Sequence, residues 1–170
     1  MSIHPETLYI VRHAAPEKGT GIRYDVPPGP PLSAIGRAEA QRAAAYLADK
    51  AIARLICSPL DRARDTASII GQTLGLPPLE DARLAEQRAD ENFEAVCARV
   101  QAFWAEQGQI DRPLAVVTHG SPARALLLTL ANGTLDLSRY NFDGSVLPTA
   151  GVWRAQRQRE GWACELIFQP

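Results

Sequence analysis

Two histidines and two arginines stand at the ends of short apolar runs that are far apart in the chain. Arg12-His13 follows Leu8-Tyr9-Ile10-Val11, and Thr118-His119-Gly120-Ser121 follows Leu114-Ala115-Val116-Val117. Between them, Ser58-Pro59 and then Arg62 follow Arg54-Leu55-Ile56-Cys57. A neutral imidazole is a nucleophile or a proton carrier, and a guanidinium fork binds phosphate or carboxylate through two N–H groups. Gly120 and Ser121, followed by Pro122, put free backbone amides at a helix start, a ready site for an anion, and Ser58 does the same after the preceding run. Together these groups favour a compact polyanion such as phosphate. Glu86 is the carboxyl group placed to act as an acid, because like charge from a bound dianion would keep it protonated. Glu91 is the obvious substitute. Taken singly, each residue has an ordinary explanation: a hydrogen-bonded histidine at a sheet edge, a solvated loop glutamate, or surface pairs of Arg62 and Arg64 with Asp61 and Asp65. Two histidines at two strand ends with Arg12 and Arg62 are harder to explain that way.

The elements that must carry these groups alternate along the chain. The three apolar runs are continuous rather than alternating, the pattern of parallel strands buried on both faces. Ser33 caps an expected helix to about Lys50, and Ser58 with Pro59 reads as N-cap and N1 of a second helix ending near Gly71 or Gly75. An extended piece is expected over 79–84 and a helix over 92–107, with Phe93, Val96, Val100, Phe103 and Trp104 on its core face. Ser121-Pro122 repeats the cap-then-proline start, for a helix to about Ala131. Two strands are expected over 152–158 and 162–168, around a turn at Glu160-Gly161, and the three tryptophans read as core. The fold expected is a three-layer α/β/α sandwich with a mostly parallel central sheet and an antiparallel edge hairpin, in one domain over 1–170. In such sheets ligands bind beyond the carboxyl ends of the strands, so Arg12, His13, Arg62 and His119 should converge on one rim. Residues 16–31, with Gly19, Gly21, Gly29 and five prolines, read as a long loop. In it stand Arg23, Tyr24 and Asp25.

Composition narrows the function classes. The chain has 170 residues and a formal net charge of −1, which argues against a nucleic-acid binder. Only Lys18 and Lys50 of its 18 basic residues are lysines, and arginine suits bidentate anion contacts. No apolar stretch has the ~18 residues of a membrane span, and the N-terminal residues lack the basic start of a secretory signal. Cys57, Cys97 and Cys164 are an odd, widely spaced set without a CxxC pair, read as isolated thiols in a reducing cytoplasm. No His-x-His or His-Glu-x-x-His spacing offers a metal ligand set, and no cofactor is called for. His4 receives no role, and oligomeric state is not readable.

These residues resemble the histidine phosphatase superfamily, the phosphoglycerate mutase-like or two-histidine phosphatases, and in particular its small bacterial-type members. Leu8 to Ala14 is similar to the family's strand ending in Arg-His-Gly, with Ala14 in place of the glycine. Leu32-Ser33-Ala34-Ile35-Gly36 resembles its Leu-Ser/Thr-x-x-Gly segment. Ser58-Pro59-Leu60-Asp61-Arg62-Ala63-Arg64-Asp65-Thr66-Ala67 resembles its Ser-Pro-Leu-x-Arg-Ala-x-x-Thr-Ala motif. Leu84-Ala85-Glu86 and Val116-Val117-Thr118-His119-Gly120 resemble its acid and second-histidine motifs. The resemblance implies a phosphomonoester hydrolase with a phosphohistidine on His13. Arg12, Arg62, His119 and Gly120 would hold the phosphoryl group, Glu86 would donate the proton, Ser58 and Arg23 are possible substrate contacts, and Arg23, Tyr24 and Asp25 are candidates to touch the leaving group, as the corresponding loop does in the family. It implies no metal, and a phosphorylated small metabolite or phosphoprotein as substrate. Alternatives are a protein phosphohistidine phosphatase or a non-catalytic phosphate-binding module. The chain departs from the pattern at Ala15-Pro16-Glu17 and at Gln87-Arg88-Ala89-Asp90, where the family often has polar residues and Gly-x-Trp-Glu-Gly. Its shortness implies a small lid, an open site, and a hydrolase rather than a mutase.

Overall fold

The computed structural model describes residues 7–107 and 112–170. His4 and the other N-terminal residues read above lie outside this range. Strand β1 (Thr7–Arg12) lies near the middle of a six-stranded sheet. It pairs in parallel with β4 (Leu114–Thr118), which pairs in parallel with β2 (Arg54–Cys57), and β2 with the two-residue β3 (Leu79–Glu80). On its other side β1 pairs antiparallel with β5 (Val152–Arg157), and β5 with β6 (Trp162–Phe168), giving the order β3-β2-β4-β1-β5-β6. The mostly parallel sheet and its antiparallel edge hairpin are therefore as expected. Gly161, at φ 82°, turns the hairpin, where Gln158 N–H donates to the Gly161 carbonyl.

Two apolar layers follow from the strand pleat. Leu8, Ile10, Ile56, Leu114 and Val116 face helices α3 (Phe93–Gln107) and α4 (Gly120–Leu130). Tyr9, Val11, Leu55, Cys57, Ala115 and Val117 face α1 (Ala34–Leu47) and α2 (Asp61–Leu74). Successive strand residues point to opposite faces, so a strand covered on both sides needs apolar residues throughout. Each fully buried Leu, Ile or Val contributes about 1.5–3 kcal/mol. Val96, Val100 and Phe103 of α3 are buried as expected, with Phe93 and Trp104 partly so. Of the tryptophans only Trp153 is fully buried; Trp104 and Trp162 meet edge to face at the margin of the core.

Several helix boundaries differ from the sequence reading. Helix α1 stops at Leu47, three residues short of Lys50, while Ser33 caps it by accepting from the Gly36 amide. Helix α2 starts at Asp61 with Leu60 at the N-cap, rather than at Ser58-Pro59. The Ser58 hydroxyl is engaged by His119 instead, and the carbonyl of Pro28 takes the Asp61 amide. Helix α4 starts at Gly120 with His119 at the N-cap, so Ser121 and Pro122 fall inside its first turn. The extended piece over 79–84 is only β3 followed by a 3-10 turn, Ala82–Leu84, because the Asp81 side chain caps that turn. Gly75 ends α2 in the left-handed region, at φ 68°.

The loop after β1 is held against α1. Pro16 bridges Leu32, Glu17 N–H donates to the Pro31 carbonyl, and the Ser33 amide and hydroxyl both donate to the Ala15 carbonyl. A Cβ on Gly36 would stand 1.9 Å from that same carbonyl oxygen. Only glycine allows this approach, which sets the path of the chain just after His13. Gly36→Ala is expected to cost about 1–3 kcal/mol of stability, through forced separation of α1 from the loop. Urea unfolding of the variant measures this, and an unchanged midpoint would show the contact to be dispensable.

Candidate active site

Three strand ends and two helix starts bring the candidate residues together. His13 leaves β1 and is 4% exposed; His119 leaves β4 and is 0% exposed. Their ring centroids are 5.0 Å apart. Arg62, in the first turn of α2, is 1% exposed, and its Nε donates to His13 Nε2 at 3.2 Å. Arg12 is half-buried at the end of β1, and its Nη1 donates to the carbonyls of Leu147 (2.8 Å) and Phe142 (3.3 Å). Gly120 opens α4 directly after His119.

The backbone fixes which nitrogen of His13 is free. His13 Nδ1 is 2.8 Å from the carbonyl of Ala14, which can only accept, so Nδ1 carries the proton. Nε2 then holds a lone pair, and Arg62 Nε donates to it. The backbone around His13 is pinned on all sides: its amide donates to the Thr118 carbonyl, and its carbonyl accepts from Ala150. The amide of Ala14 donates to Thr66 Oγ1, whose hydroxyl donates to the Arg62 carbonyl. Thr66 thus ties the histidine's strand to the helix that carries Arg62, one turn beyond that arginine. The amide of Ala15 donates to Glu39.

A similar argument assigns His119. Its Nε2 is 2.7 Å from Ser58 Oγ, and that oxygen accepts from the Leu60 amide at 3.3 Å. Among the described residues the Ser58 hydroxyl has no other acceptor, so its proton points to His119 Nε2, which leaves the imidazole proton on Nδ1. His119 Nδ1 is buried and has no hydrogen-bond partner among the described residues; Arg12 Nε and Arg62 Nη1 share that state. Buried donors left unpaired are costly, and here they belong to three of the groups expected to hold a phosphoryl group. Ser58 is fully buried behind His119.

The electrostatics are those of a cationic rim with neutral bases. Burial, then the charges of Arg62 and Arg12, hold the His13 pKa well below its ordinary value, against the Ala14 hydrogen bond. Burial holds His119 well below as well, followed by His13, Arg62 and Arg12. Burial pushes Arg62 down to about 10 and also lowers Arg12, with Glu86 opposing in both cases. Glu86 is thus the carboxylate felt by both guanidinium groups.

Glu86 sits on a stapled segment. Thr118 Oγ1 donates to the Leu84 carbonyl at 2.7 Å, anchoring the segment to the end of β4. Arg99 of α3 donates to the carbonyls of Arg83 and Glu86 and, through Nε and Nη2, to both carboxylate oxygens of Glu91. This pair holds Glu91 below the usual carboxylate range. The alternative acid is therefore committed to Arg99. The Glu86 carboxylate accepts only amides, from Gln87 at 2.9 Å and Ser121 at 3.4 Å. Nothing in the sequence pattern singled out Arg99.

The loop over 16–31 reaches the rim from above. The Tyr24 carbonyl accepts from Arg62 Nη2 at 2.8 Å, and the Tyr24 ring lies 5.3 Å from the guanidinium carbon. Asp25 accepts from the Ala89 amide and pairs with Arg23, whose guanidinium points to solvent. Of the three loop candidates, Tyr24 and Asp25 meet the site, and Arg23 stands outside it. Arg64 pairs with Asp61 on the surface, as an ordinary helix pair does. The three cysteines are free thiols. Among the described residues no helix is long and apolar enough to cross a membrane, and no cluster of metal-ligating side chains occurs.

The depressed histidines carry a stability signature. In the unfolded chain each titrates near its ordinary value of about 6.5, while the folded protein resists protonating them. The unfolded state therefore binds more protons below that value, so stability is present above about pH 6.5 and lost as pH falls below it. The slope approaches about 1.4 kcal/mol per pH unit for each imidazole. Urea midpoints should fall between about pH 7.5 and 5.5, and His119→Gln should flatten the fall. Equal slopes in both proteins would count against buried neutral histidines.

Known proteins resemble this chain in sequence and in fold. The model of the histidine phosphatase superfamily (branch 1) matches residues 8–90. An uncharacterized protein of Mycobacterium tuberculosis is 42% identical over 79 residues, which cover 46% of this chain and 39% of that one. A probable phosphoglycerate mutase of Serratia proteamaculans is 34% identical over 79 residues, covering 46% of this chain and 37% of its own. The match thus spans well under half the length of these relatives. In structure, the chain resembles a mycobacterial glucosyl-3-phosphoglycerate phosphatase in complex with VO3 (TM-score 0.79, 22% identity, 95% of this chain and 98% of the other). It equally resembles a putative alpha-ribazole-5'-P phosphatase of Escherichia coli (TM-score 0.79, 19% identity, 98% and 97%). The chain is thus similar to the histidine phosphatase superfamily (branch 1) over residues 8–90, and it shares the fold of these two phosphatases over nearly its whole length.

Proposed function

We propose that the protein is a phosphomonoester hydrolase that works through a phosphohistidine on His13, without a metal. The observation that carries this reading is the neutral, Nδ1-protonated His13, whose Nε2 lone pair lies beside three unpartnered buried donors on Arg12, Arg62 and His119. A phosphoryl group bound there satisfies those donors and draws Arg62 Nε off the lone pair. Nε2 then attacks phosphorus, a P–N bond forms, and the P–O bond to the leaving group breaks. Arg12, Arg62, His119 Nδ1–H and the α4 amide end at Gly120 stabilise the charge on the non-bridging oxygens. Glu86 gives its proton to the departing oxygen, so an alcohol leaves. In the second step Glu86 takes a proton from water, the water oxygen attacks phosphorus, and the P–N bond breaks. Phosphate is released and His13 returns to its neutral form.

The stapled acid segment favours this reading over a phosphohistidine phosphatase. Imidazole leaves without needing a strong acid, whereas an alkoxide does. A fold that spends Arg99, Glu91 and Thr118 on holding the Glu86 segment is built for oxygen leaving groups. The cations at the rim supply the charge neutralisation that the reaction needs. The comparison proteins include both phosphatases and a mutase; an open cleft beside Glu86 favours transfer to water.

His13→Ala should abolish hydrolysis of p-nitrophenyl phosphate, and wild type should trap an acid-labile, base-stable phosphoenzyme. Full activity in the variant would refute the nucleophile. Glu86→Gln should slow alkyl phosphates by about 100-fold or more and p-nitrophenyl phosphate far less, since nitrophenolate needs little protonation. Equal losses on both esters would remove the acid role from Glu86.

A further inference from the structure

A cavity of about 510 Å³ adjoins the rim, bounded by Glu86 and Pro59 on the side of the histidines. Its position has a chemical consequence that rests on the phosphatase reading above. The atom that takes the proton from Glu86 is the ester oxygen, so the rest of the leaving group lies on the Glu86 side, in this cavity. The lining therefore selects the substrate.

That lining is unusual in its charge. Pro27, Pro59, Ala85 and Ala95 give it apolar walls. Its ionisable groups are four carboxylates, Asp25, Glu86, Asp90 and Glu91, against two guanidinium groups, Arg88 and Arg99. Both cations are already committed. Arg99 is held by Glu91 and two carbonyls, and Arg88 makes a two-pronged pair with Asp90 at 2.9 and 2.8 Å. Asp25 is likewise taken by Arg23, from outside the cavity. Glu86 has no cation of the lining as a partner. A carboxylate or second phosphate on the leaving group would enter a lining whose cations are all matched, beside a Glu86 that must carry its proton to act, with no free cation to meet it. Burying an anion without a partner costs binding, and an unmet charge of this kind is how sites reject near-isosteric competitors.

We propose that the cavity makes the enzyme selective for phosphomonoesters with a neutral or cationic leaving group, and that it rejects those bearing a carboxylate or second phosphate near the ester oxygen. The one route by which the cavity could accept an anion is Arg88, whose side chain is 59% exposed and pairs with an exposed Asp90. The test therefore includes that residue.

The experiment compares kcat/KM for pairs of esters that differ by one carboxylate: glycerol 3-phosphate with 3-phosphoglycerate, and phosphoethanolamine with phosphoserine. p-Nitrophenyl phosphate serves as the reporter of basal chemistry. The expected result is a preference of about tenfold or more for the partner without the carboxylate in both pairs. Asp90→Lys should narrow the preference by raising kcat/KM on the carboxylate esters. Equal rates within each pair, or a preference for the carboxylate esters that Arg88→Ala removes, would overturn the proposal while leaving the phosphatase reading intact. Absence of p-nitrophenyl phosphate hydrolysis would instead strike the phosphatase reading, and the proposal would fall with it.

Discussion

Burying Arg12 and Arg62 beside His13 and His119 sets two fixed positive charges next to two bases in a region stripped of water. The guanidinium groups keep their protons, so the imidazoles give up theirs. Desolvation and like charge act in the same direction on both rings. Everything else at the rim follows from that conflict. His13 is left with a lone pair on Nε2, and His119 with a proton on Nδ1, because the backbone of Ala14 and the hydroxyl of Ser58 settle the tautomers. An uncompensated cluster of this kind is expensive to fold. A bound dianion is the natural compensation, since it meets the spare donors and the net charge at once.

Holding that cluster in place takes most of the surrounding structure. The strands β1 and β4 deliver the two histidines side by side because they are adjacent and parallel, with Arg12 opposite Thr118 in the register. Thr118 has two duties: its carbonyl accepts from His13, and its hydroxyl anchors Leu84 and so the Glu86 segment. Thr66 joins the chain after His13 to the helix bearing Arg62. Carbonyls from the segment before β5 hold Arg12, and a carbonyl of the proline-rich loop holds Arg62. The site is thus over-determined by backbone contacts. Backbone contacts of this kind let a strained arrangement of charges persist.

The arginine excess of the composition divides along the same line. Arg12 and Arg62 use carbonyl partners and keep an N–H free, whereas Arg23, Arg64, Arg83, Arg88 and Arg99 are each matched to a carboxylate. The rim thus holds two buried guanidinium groups with an N–H to spare, although the whole chain is nearly neutral. Arg99 illustrates a different use of the same group. Its planar fork bridges two carbonyls and a carboxylate, and it supports the segment that carries Glu86.

Local sequence determined the parts of this protein that depend on neighbouring residues alone. Continuous apolar runs marked β1, β2 and β4, because a strand buried on both faces has no polar position to spare. The Ser33 cap and the Gly75 and Gly161 turns were legible for the same reason, as each satisfies a local backbone need. Strand ends then located His13, His119, Arg12 and Arg62 on one rim, since parallel strands in one sheet share a carboxyl edge. What tertiary structure decided were the competitions between distant partners. Ser58 could cap a helix or hold His119, and it holds His119, which moved the start of α2 to Asp61. Glu86 and Glu91 are equivalent as letters, and only the approach of α3 bound Glu91 to Arg99 and left Glu86 to the rim. The same packing paired the cations of the cavity beside Glu86. A residue's alternatives are written in the sequence; which alternative is occupied depends on what the fold brings within hydrogen-bonding distance.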